Sequence, residues 1–239
     1  MKLRLTRPAV VIGIALGAVV VLGLVAILIG SLSQSSASRP ITGPVSGVRD
    51  AQFSLLDGAT SVRVQAGAIG DDLYRISTPA DAGLRPRVTR DGGDVRLRLE
   101  PNGRGSSGVV DIVLNAGVDW DLRMIGGARE MRIDMTGGKA LAVHIAGGAS
   151  LIDVALGRVA GLVPVSMAGG VDQFRVRVPA ATPVRVTASS GAGSVTIGGQ
   201  THEGVAGGQV FTAGAWRDDG PGVDVRAQAG AGAVLVSEG

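Results

Sequence analysis

The chain contains no cysteine. Disulfide bonds, thiolate nucleophiles, iron–sulfur clusters and cysteine-linked lipid anchors are therefore excluded. Histidine is almost as scarce, with two residues, His144 and His202. A zinc site needs three or four ligands at fixed geometry, and two dispersed histidines do not supply them. The sequence predicts neither a metal site nor a cofactor site.

An excess of charge of one sign is also missing from most of the chain. All 20 acidic residues lie at Asp50 or later, while Lys2, Arg4 and Arg7 are three of the 23 basic residues. The remaining 20 basic residues balance the acidic ones. A nucleic-acid-binding protein needs a basic surface to neutralise phosphates, so we expect no nucleic-acid partner.

Aromatic residues make up only 3% of the chain, whereas glycine is abundant with 39 residues. The glycines follow no strict triplet period, which excludes collagen. The hydrophobic fraction of 45% argues against a disordered chain. This composition favours a β architecture with many tight turns and an aliphatic core that leaves no room for aromatic side chains.

One long apolar run lies near the N-terminus. "AVVIGIALGAVVVLGLVAILIG", residues 9–30, holds no charge over 22 residues. A helix of that length measures about 33 Å, enough to cross a hydrocarbon core of about 30 Å. The basic residues before it predict that residues 1–8 are cytoplasmic and that the rest of the chain is extracytoplasmic. We therefore expect a single-pass protein of the cell membrane.

The same N-terminal run has a second interpretation as a cleavable signal peptide, with "SSAS" at Ser35–Ser38 as the cleavage region. Signal peptides have shorter apolar regions of about 7–15 residues, so an uncleaved anchor is favoured. Gly13 and Gly17 form a GxxxG pattern that permits close helix pairing. The serine-, proline- and glycine-rich residues 31–47 are typical of a flexible linker, which leaves residues 48–239 as the extracytoplasmic domain.

Short runs of alternating apolar and polar residues fill this domain. "EMRIDM" places Met131, Ile133 and Met135 on one side, and "LAVHI" predicts inward Leu141, Val143 and Ile145 with His144 outward. Period-two alternation over four to seven residues predicts β-strands. "VTRDGGDVRLRLE" predicts a hairpin that turns at Asp91–Asp94, and the less regular residues 48–118 are expected to cap one end of the stack.

Glycine doublets punctuate these runs. They occur at Gly126-Gly127, Gly137-Gly138, Gly147-Gly148 and Gly169-Gly170. Their successive spacings are 11, 10 and 22 residues. One strand and one turn take about ten residues, so two such units predict a β-solenoid with coils of roughly 20–22 residues, each lying on the previous one. A β-sandwich also has short strands and frequent turns and stays open as the alternative, although the regular spacing and the expected lack of core tryptophan favour the solenoid.

The sequence also resembles a known family. Gly147-Gly148-Ala149, Gly161, Val163-Pro164-Val165 and Gly169-Gly170 match a repeated "GGA…G-x-V-P-V…GG" pattern, and "AGAGAVLVSEG" is similar to a degenerate terminal repeat. The pattern resembles that of bacterial envelope proteins with a toast-rack, LiaF-like or adhesin-type domain. The resemblance implies a β-solenoid and a role in envelope-stress sensing or adhesion, and it brings no catalytic residue. Relatives linked to stress signalling often carry several membrane helices, whereas this chain has one.

Three acidic residues are candidates for a binding or catalytic site. Asp134, Asp153 and Asp172 are spaced by 19 residues. If they stacked on one face, they could bind calcium or perform acid–base chemistry on a polysaccharide. A polar outer face that keeps the domain soluble, with Arg132, Arg175 and Arg177 nearby, is the favoured interpretation.

The remaining candidates are weaker. His144 is expected to be a solvated strand residue and His202 to lie in a loop, while Trp120 and Trp216 are expected to pack at corners or caps rather than to stack on sugars. "GGK" at Gly137–Lys139 lacks the spacing of a phosphate loop.

We therefore expect a non-catalytic, membrane-anchored envelope protein that acts by interaction or sensing, with a protein or a cell-wall glycan as partner. A self-associating adhesive or structural module is the first alternative, and a polysaccharide-active enzyme is the second.

Overall fold

A computed structural model describes residues 39–79, 81–103 and 108–239. This part of the chain is all-β and contains no helix. Its strands are β1 Ile41–Pro44, β2 Asp50–Leu55, β3 Ala59–Gly67, β4 Asp72–Ser77, β5 Leu84–Asp91, β6 Asp94–Pro101, β7 Val109–Asn115, β8 Asp119–Met124, β9 Ala128–Met135, β10 Lys139–Ile145, β11 Ala149–Leu156, β12 Leu162–Met167, β13 Val171–Val178, β14 Val184–Ala188, β15 Ala192–Ile197, β16 Gln200–Val205, β17 Gln209–Ala213, β18 Gly222–Ala227 and β19 Ala231–Glu238.

The strands form two mixed sheets that share one core. The ten-stranded sheet has the order β1-β4-β7-β3-β9-β11-β13-β19-β15-β16, and the nine-stranded sheet has the order β17-β14-β18-β12-β10-β8-β2-β6-β5. From β6 to β15, successive strands of the chain alternate between the sheets, so β8 and β9, β10 and β11, and β12 and β13 each form one coil with a strand in both sheets. Neighbouring coils pair in parallel.

The strand registers confirm the predicted coil length. Ala128 pairs with Ala149, and Ala149 pairs with Val171, which gives steps of 21 and 22 residues. Lys139 pairs with Asp119, a step of 20 residues. One coil therefore takes the two ten-residue units that the glycine spacing indicates.

Three of the glycine doublets, Gly126-Gly127, Gly147-Gly148 and Gly169-Gly170, stack on one another at the same corner between the two sheets, which explains their spacing of one coil. The amide of Ala128 donates to the carbonyl of Gly148, and the amide of Ala149 donates to that of Gly170, both at 3.1 Å. A Cβ added at Gly147 would lie 2.4 Å from the amide nitrogen of Gly127. Adjacent corners approach so closely that only glycine fits there.

The core is formed by the inward residues of both sheets and is largely aliphatic, as the alternation predicts. The expectation of a core without aromatic residues is wrong. Trp120, Phe53 and Phe174 are fully buried, and Tyr74 is nearly so. Two facing sheets are about 10 Å apart, and an aromatic ring that lies along the sheet fits in that space. The low aromatic content of the chain therefore does not mean that the core lacks room for aromatic side chains.

The coils do not all stack in chain order, which corrects the expectation that each coil lies on the previous one. The three central coils, β8–β13, do follow that order. The C-terminal coil, β18–β19, instead inserts between β12–β13 and β14–β15, and β2–β3 lies between β6–β7 and β8–β9. The glycine spacing indicates how many residues one coil contains, but it does not indicate which coil lies next to it. The same glycine corner can stack on a coil that is near in the sequence or on one that is distant.

Antiparallel strands close both ends of the stack. β5 and β6 form the predicted hairpin, with Asp91 paired to Asp94. β1 and β4 extend the ten-stranded sheet at the same end, whereas β16 and β17 cover the opposite end. This confirms that part of residues 48–118 caps the stack. The strand Ile41–Pro44 pairs with β4, so the domain begins before the predicted boundary at Val48.

One strand departs from simple alternation. The register of β10 against β8 shifts between Ala140 and Ala142, which is a β-bulge. Leu141 consequently has 38% of its surface exposed and does not point inward as predicted. Local alternation cannot reveal a bulge, because the extra residue is defined only by the partner strand.

The predicted membrane helix at residues 9–30 and residues 31–38 of the predicted linker lie outside the described residues. Within the described ranges, no helix is long and apolar enough to cross a membrane.

Candidate interaction face

The outer face of the nine-stranded sheet carries a repeated sequence motif. Three strands have an aspartate followed two residues later by an arginine: Asp94 and Arg96 in β6, Asp121 and Arg123 in β8, and Asp224 and Arg226 in β18. Residues i and i+2 of a strand point to the same face. Each arginine therefore reaches the aspartate of its own strand, and all three pairs form ion pairs.

Parallel pairing arranges these residues in two rows across the sheet. Gln52 pairs with Asp94 on one side and with Asp121 on the other, which forms the first row. The second row runs from Arg123 to His144 and Ser166. Ser166 then pairs with Arg226, so the second row is continuous across four strands.

The two central strands interrupt the charges. β10 and β12 carry Ala142 and Pro164 where their neighbours carry aspartate, and His144 and Ser166 where their neighbours carry arginine. Leu141 and Leu162, on the same strands, have 38% and 45% of their surface exposed. We refer to these six residues as the neutral patch: Leu141, Ala142, His144, Leu162, Pro164 and Ser166.

Charged residues border the neutral patch on two sides. Asp121 and Arg123 lie on β8, and Asp224 and Arg226 lie on β18. Three strand spacings separate β8 from β18, a distance of about 14 Å. The patch is a flat, weakly polar strip with its own hydrogen-bonding pair, framed by aspartate–arginine pairs.

His144 and Ser166 form that hydrogen-bonding pair, with 2.8 Å between His144 Nδ1 and Ser166 Oγ. His144 points outward, as predicted, but it is half-buried and not simply solvated. A serine nucleophile is activated by a histidine that an acid orients. Here the neighbours in the row are Arg123 and Arg226, so the row places an arginine, and not an acid, on each side of this pair.

Asp224 is the most enclosed charge of this face, with no exposed surface. Arg185 donates from Nε to Oδ1 at 3.0 Å and from Nη2 to Oδ2 at 2.9 Å, and Arg226 donates from Nε to Oδ2 at 2.8 Å. Burial alone would raise the pKa of Asp224, but the hydrogen bonds from Arg185 and Arg226 and their charges outweigh it and lower the pKa below its usual value. The bidentate bond to Asp224 likewise raises the pKa of Arg185.

Trp216 completes this cluster from the loop between β17 and β18. The guanidinium carbon of Arg185 lies 4.9 Å from the centroid of the Trp216 ring, which is the geometry of a cation–π contact. Asp218 accepts hydrogen bonds from Arg185 Nη1 at 2.8 Å and from Trp216 Nε1 at 3.2 Å. Trp216 thus packs its loop against Arg185 of β14, in line with the expected packing role.

The three acidic residues considered from the sequence do not form a row. Asp153 pairs with Arg132 and Arg175 on its neighbouring strands and forms an ion pair with Arg177 at 3.2 Å. Asp134 accepts hydrogen bonds from the amide and hydroxyl of Thr136 at 3.0 and 2.6 Å. The coil step is 21–22 residues at these strands and not 19, so equal spacing in sequence placed the acids in different rows.

The remaining candidate residues from the sequence, Trp120 and His202, contact other parts of the domain. Trp120 is fully buried and donates from Nε1 to the carbonyl of Asn115 at 3.0 Å. His202 lies in β16 and not in a loop, and its ring stacks on Phe211 with 4.5 Å between centroids. Among the residues that the structure describes, no group of three His, Cys, Asp or Glu side chains is placed to hold a metal ion.

A cavity of about 550 Å³ opens near the ends of β9, β11 and β13. Its lining includes Asp134, Thr136, Arg158 and Arg177, over a floor with Ala155 and Leu156. Asp134 is already bonded to Thr136, and Arg177 to Asp153. These pairings leave the cavity without an evident acid–base pair.

Neither the aspartate–arginine motif nor the neutral patch is predicted from the sequence above. The motif was visible as "DVRL", "DLRM" and "DVRA", a repeated D-x-R on alternating strands. Each copy by itself resembles the polar side of any half-buried strand, so a single copy does not indicate a site. The patch had no signal of its own, since it is defined by which strands lie side by side.

Comparisons with known proteins address the fold. No protein-family model matches the chain, and no curated protein matches its sequence. The described domain belongs by its topology to the two-sheet, coiled all-β class. A crystal structure of a candidate cell adhesion protein from Clostridium sporogenes ATCC 15579 is similar to this chain, with a TM-score of 0.65 and 16% identity, over 85% of this chain and 99% of that one.

A second solved structure is a candidate adhesin, BF0245, from Bacteroides fragilis NCTC 9343. It aligns over 84% of this chain and 98% of its own, with 8% identity and a TM-score of 0.22, which is too low to bear on the fold. At these identities the comparison with the Clostridium protein shows a shared all-β fold.

Proposed function

We propose that this protein is a membrane-anchored, extracytoplasmic contact module of the cell envelope, and that the neutral patch binds a macromolecular partner. The observation that carries the proposal is the patch itself, with exposed Leu141 and Leu162 between two borders of paired charges. Apolar centres with polar rims are typical of protein interfaces. The proposed role is binding and not catalysis.

The shape of the patch favours a large partner. Small-molecule sites are concave and surround most of the ligand, whereas this patch is the flat outer surface of β10 and β12. The aspartates and arginines that border the patch already neutralise each other, as Asp121 and Arg123 do at 3.0 Å. The surface that a partner contacts therefore carries no uncompensated charge. We expect the charged borders to orient the partner more than they increase the binding affinity.

Adhesion is the form of contact that we propose, with a protein or a cell-wall glycan as partner. The shared fold with a Clostridium protein named as a candidate in cell adhesion supports it. The sequence pattern of an N-terminal apolar run, residues 9–30, and the basic residues before it supports the anchor. An anchored module acts through its position, which suits adhesion better than turnover of a diffusible substrate.

Topology is tested with protease added to intact spheroplasts that express the full-length chain. We expect degradation of residues 31–239, since the charge bias predicts an extracytoplasmic domain. Survival of the whole domain until the cells are lysed would reverse the proposed orientation.

Binding is tested by measuring how full-length protein in liposomes retains isolated cell-wall sacculi and intact cells. Leu162→Lys places a charge in the neutral patch, and we expect at least tenfold weaker retention. Leu235→Lys is the matched control, because Leu235 has 37% of its surface exposed on β19 of the other sheet. Equal retention by both variants and the wild type would contradict the patch as the binding surface.

A further inference from the structure

Four strands form the edges of the two sheets in the described part of the chain: β1, β16, β5 and β17. An edge strand presents unpaired backbone N–H and C=O groups, which can pair with another chain. Soluble proteins usually protect such edges with proline, charge, bulges or short strands. The four edges can therefore be compared by these protective features.

Three of the edges carry protection. β5 contains Pro86 between the exposed Arg85 and Arg87. β1 has four residues and ends at Pro44, and proline offers no N–H to a partner. β16 carries the charged Glu203, followed by Gly204 with φ of 60°, which interrupts the extended backbone.

The fourth edge, β17, carries no proline, charge or bulge. Its sequence, Gln209–Ala213, contains no charge and no proline, and its register against β14 is unbroken over all five residues. Val210 has 55% of its surface exposed. A regular, uncharged strand with β-branched and aromatic residues is a good template for pairing.

We propose that β17 docks against β17 of a second copy of this chain, in an antiparallel pair centred on Phe211. In this register Phe211 faces Phe211 of the second copy, Val210 faces Thr212, and Gln209 faces Ala213. Every cross-strand pair is uncharged, and the central pairs are aromatic or β-branched, which are favourable in antiparallel sheets. A two-fold axis through the pair makes the contact isologous, so it closes as a dimer.

The neighbouring charges do not oppose this pairing. Arg185 of β14 lies opposite Thr212 and is the charged residue nearest to the strand in that row. Its guanidinium is bound to Asp224 and Asp218, so two copies would not bring free like charges together. An acidic or basic foreign strand would place an unpaired charge against Val210 and Thr212, which disfavours it relative to a second copy.

The place of β17 in the stack also favours a second copy. β1, where the N-terminal segment enters the domain, and β16 are the two ends of the ten-stranded sheet, nine strand spacings or about 43 Å apart. β17 belongs to the β16 end, because its partner β14 forms one coil with β15. The open edge thus lies far from the entry of the tether, and copies held in membranes meet at high local concentration. Only this last argument rests on the proposed anchor.

The experiment uses the full-length chain in detergent and exploits its lack of cysteine. Single variants Val210→Cys and Thr212→Cys are mixed and oxidised. The proposed register puts residue 210 of one copy directly opposite residue 212 of the other, so the mixture should form disulfide-linked heterodimers at least tenfold faster than either variant alone. Leu235→Cys, similarly exposed but on β19, is the control. Cross-linking no faster than in this control would overturn the proposal.

A second measurement does not depend on cysteines. Val210→Lys places one charge on each side of the pair, and we expect its dimer dissociation constant to rise at least tenfold in sedimentation equilibrium, while its far-ultraviolet spectrum stays that of the wild type. An unchanged constant would overturn the proposal. Leu162→Lys should leave the dimer intact, and Val210→Lys should leave sacculus binding by each chain intact, so failure of the dimer and failure of the neutral patch are separate results.

Discussion

At the scale of single residues, the outer face of the nine-stranded sheet shows how burial changes the contribution of an aspartate–arginine ion pair to the stability of the fold. The three aspartate–arginine pairs have the same motif, but Asp94 and Asp121 are partly exposed whereas Asp224 has no exposed surface. Exposed ion pairs contribute about 0–1 kcal/mol. Removing one partner of a buried pair costs about 3–5 kcal/mol, because it leaves the other charge unpaired.

Asp224→Asn should therefore lower the free energy of unfolding by about 3 kcal/mol at pH 7. Because the folded-state pKa of Asp224 lies below its usual value, the carboxylate stabilises the fold above the unfolded-state pKa of about 3.9. That contribution is lost as the pH falls through the lower folded-state pKa. Urea unfolding measures the free energy of unfolding of wild type and variant at pH 7 and at about pH 3. The difference between the two proteins should be smaller at about pH 3 than at pH 7. Asp172→Asn, at an exposed position, is the control with no effect at either pH.

Adjacent residues of β10 test the register of the same sheet. Val143 is fully buried, so Val143→Asp should unfold the domain, since a buried unpaired carboxylate costs several kcal/mol. His144→Ala removes the bond to Ser166 and should cost only about 1 kcal/mol. Thermal unfolding compares the two. Similar melting temperatures would mean that the register of β10 is wrong.

At the scale of elements, the corners between sheets limit the sequence more tightly than the strands do. Strand positions need only an apolar residue of suitable size on the inner face. The corner glycines lie against the backbone of the adjacent corner, as Gly147 does against Gly126 and Gly127. Backbone cannot move aside as a flexible side chain can, so these positions do not tolerate a methyl group.

Gly147→Ala and Gly161→Ala form a matched pair for this point. The added Cβ at Gly147 would lie 2.4 Å from Gly127 N and 2.5 Å from Gly126 C, whereas nothing lies within 4 Å of a Cβ at Gly161. We expect Gly147→Ala to lose about 3 kcal/mol or more in urea unfolding, the upper range for overpacking. Gly161→Ala should be neutral or stabilising by up to about 1 kcal/mol. Equal losses would show that the close approach of adjacent corners is not what makes Gly147 intolerant of a side chain.

At the scale of the whole molecule, the order of the coils makes the C-terminus part of the middle of the stack. β18 pairs with β12 and β14, and β19 pairs with β13 and β15. In a solenoid whose chain order equals its stacking order, loss of the last coil only shortens the stack. Here the same loss separates β14–β15 from the remaining coils.

Truncation after Ala213 should therefore abolish cooperative folding, because both neighbours of β18–β19 lose a full parallel interface. Deletion of β1, Ile41–Pro44, is the control: this short edge strand pairs only with β4, and its loss should lower the melting temperature by only a few degrees. Circular dichroism and thermal unfolding distinguish the two. A truncated chain that still melts cooperatively would show that β14–β15 can pair directly with β12–β13.

The sequence by itself determined the strands, the coil length and the interior of this protein. Alternation identified Met131, Ile133 and Met135 as buried, and glycine spacing gave coils of 20–22 residues, because strand period and corner geometry are local properties. Only the tertiary structure decided which strands are neighbours. It inserted β18–β19 into the stack, exposed Leu141 through a bulge and placed Asp153 between arginines and not between acids. The neutral patch and the open edge at β17 follow from those pairings, since residues from distant parts of the chain form one surface only when their strands lie side by side.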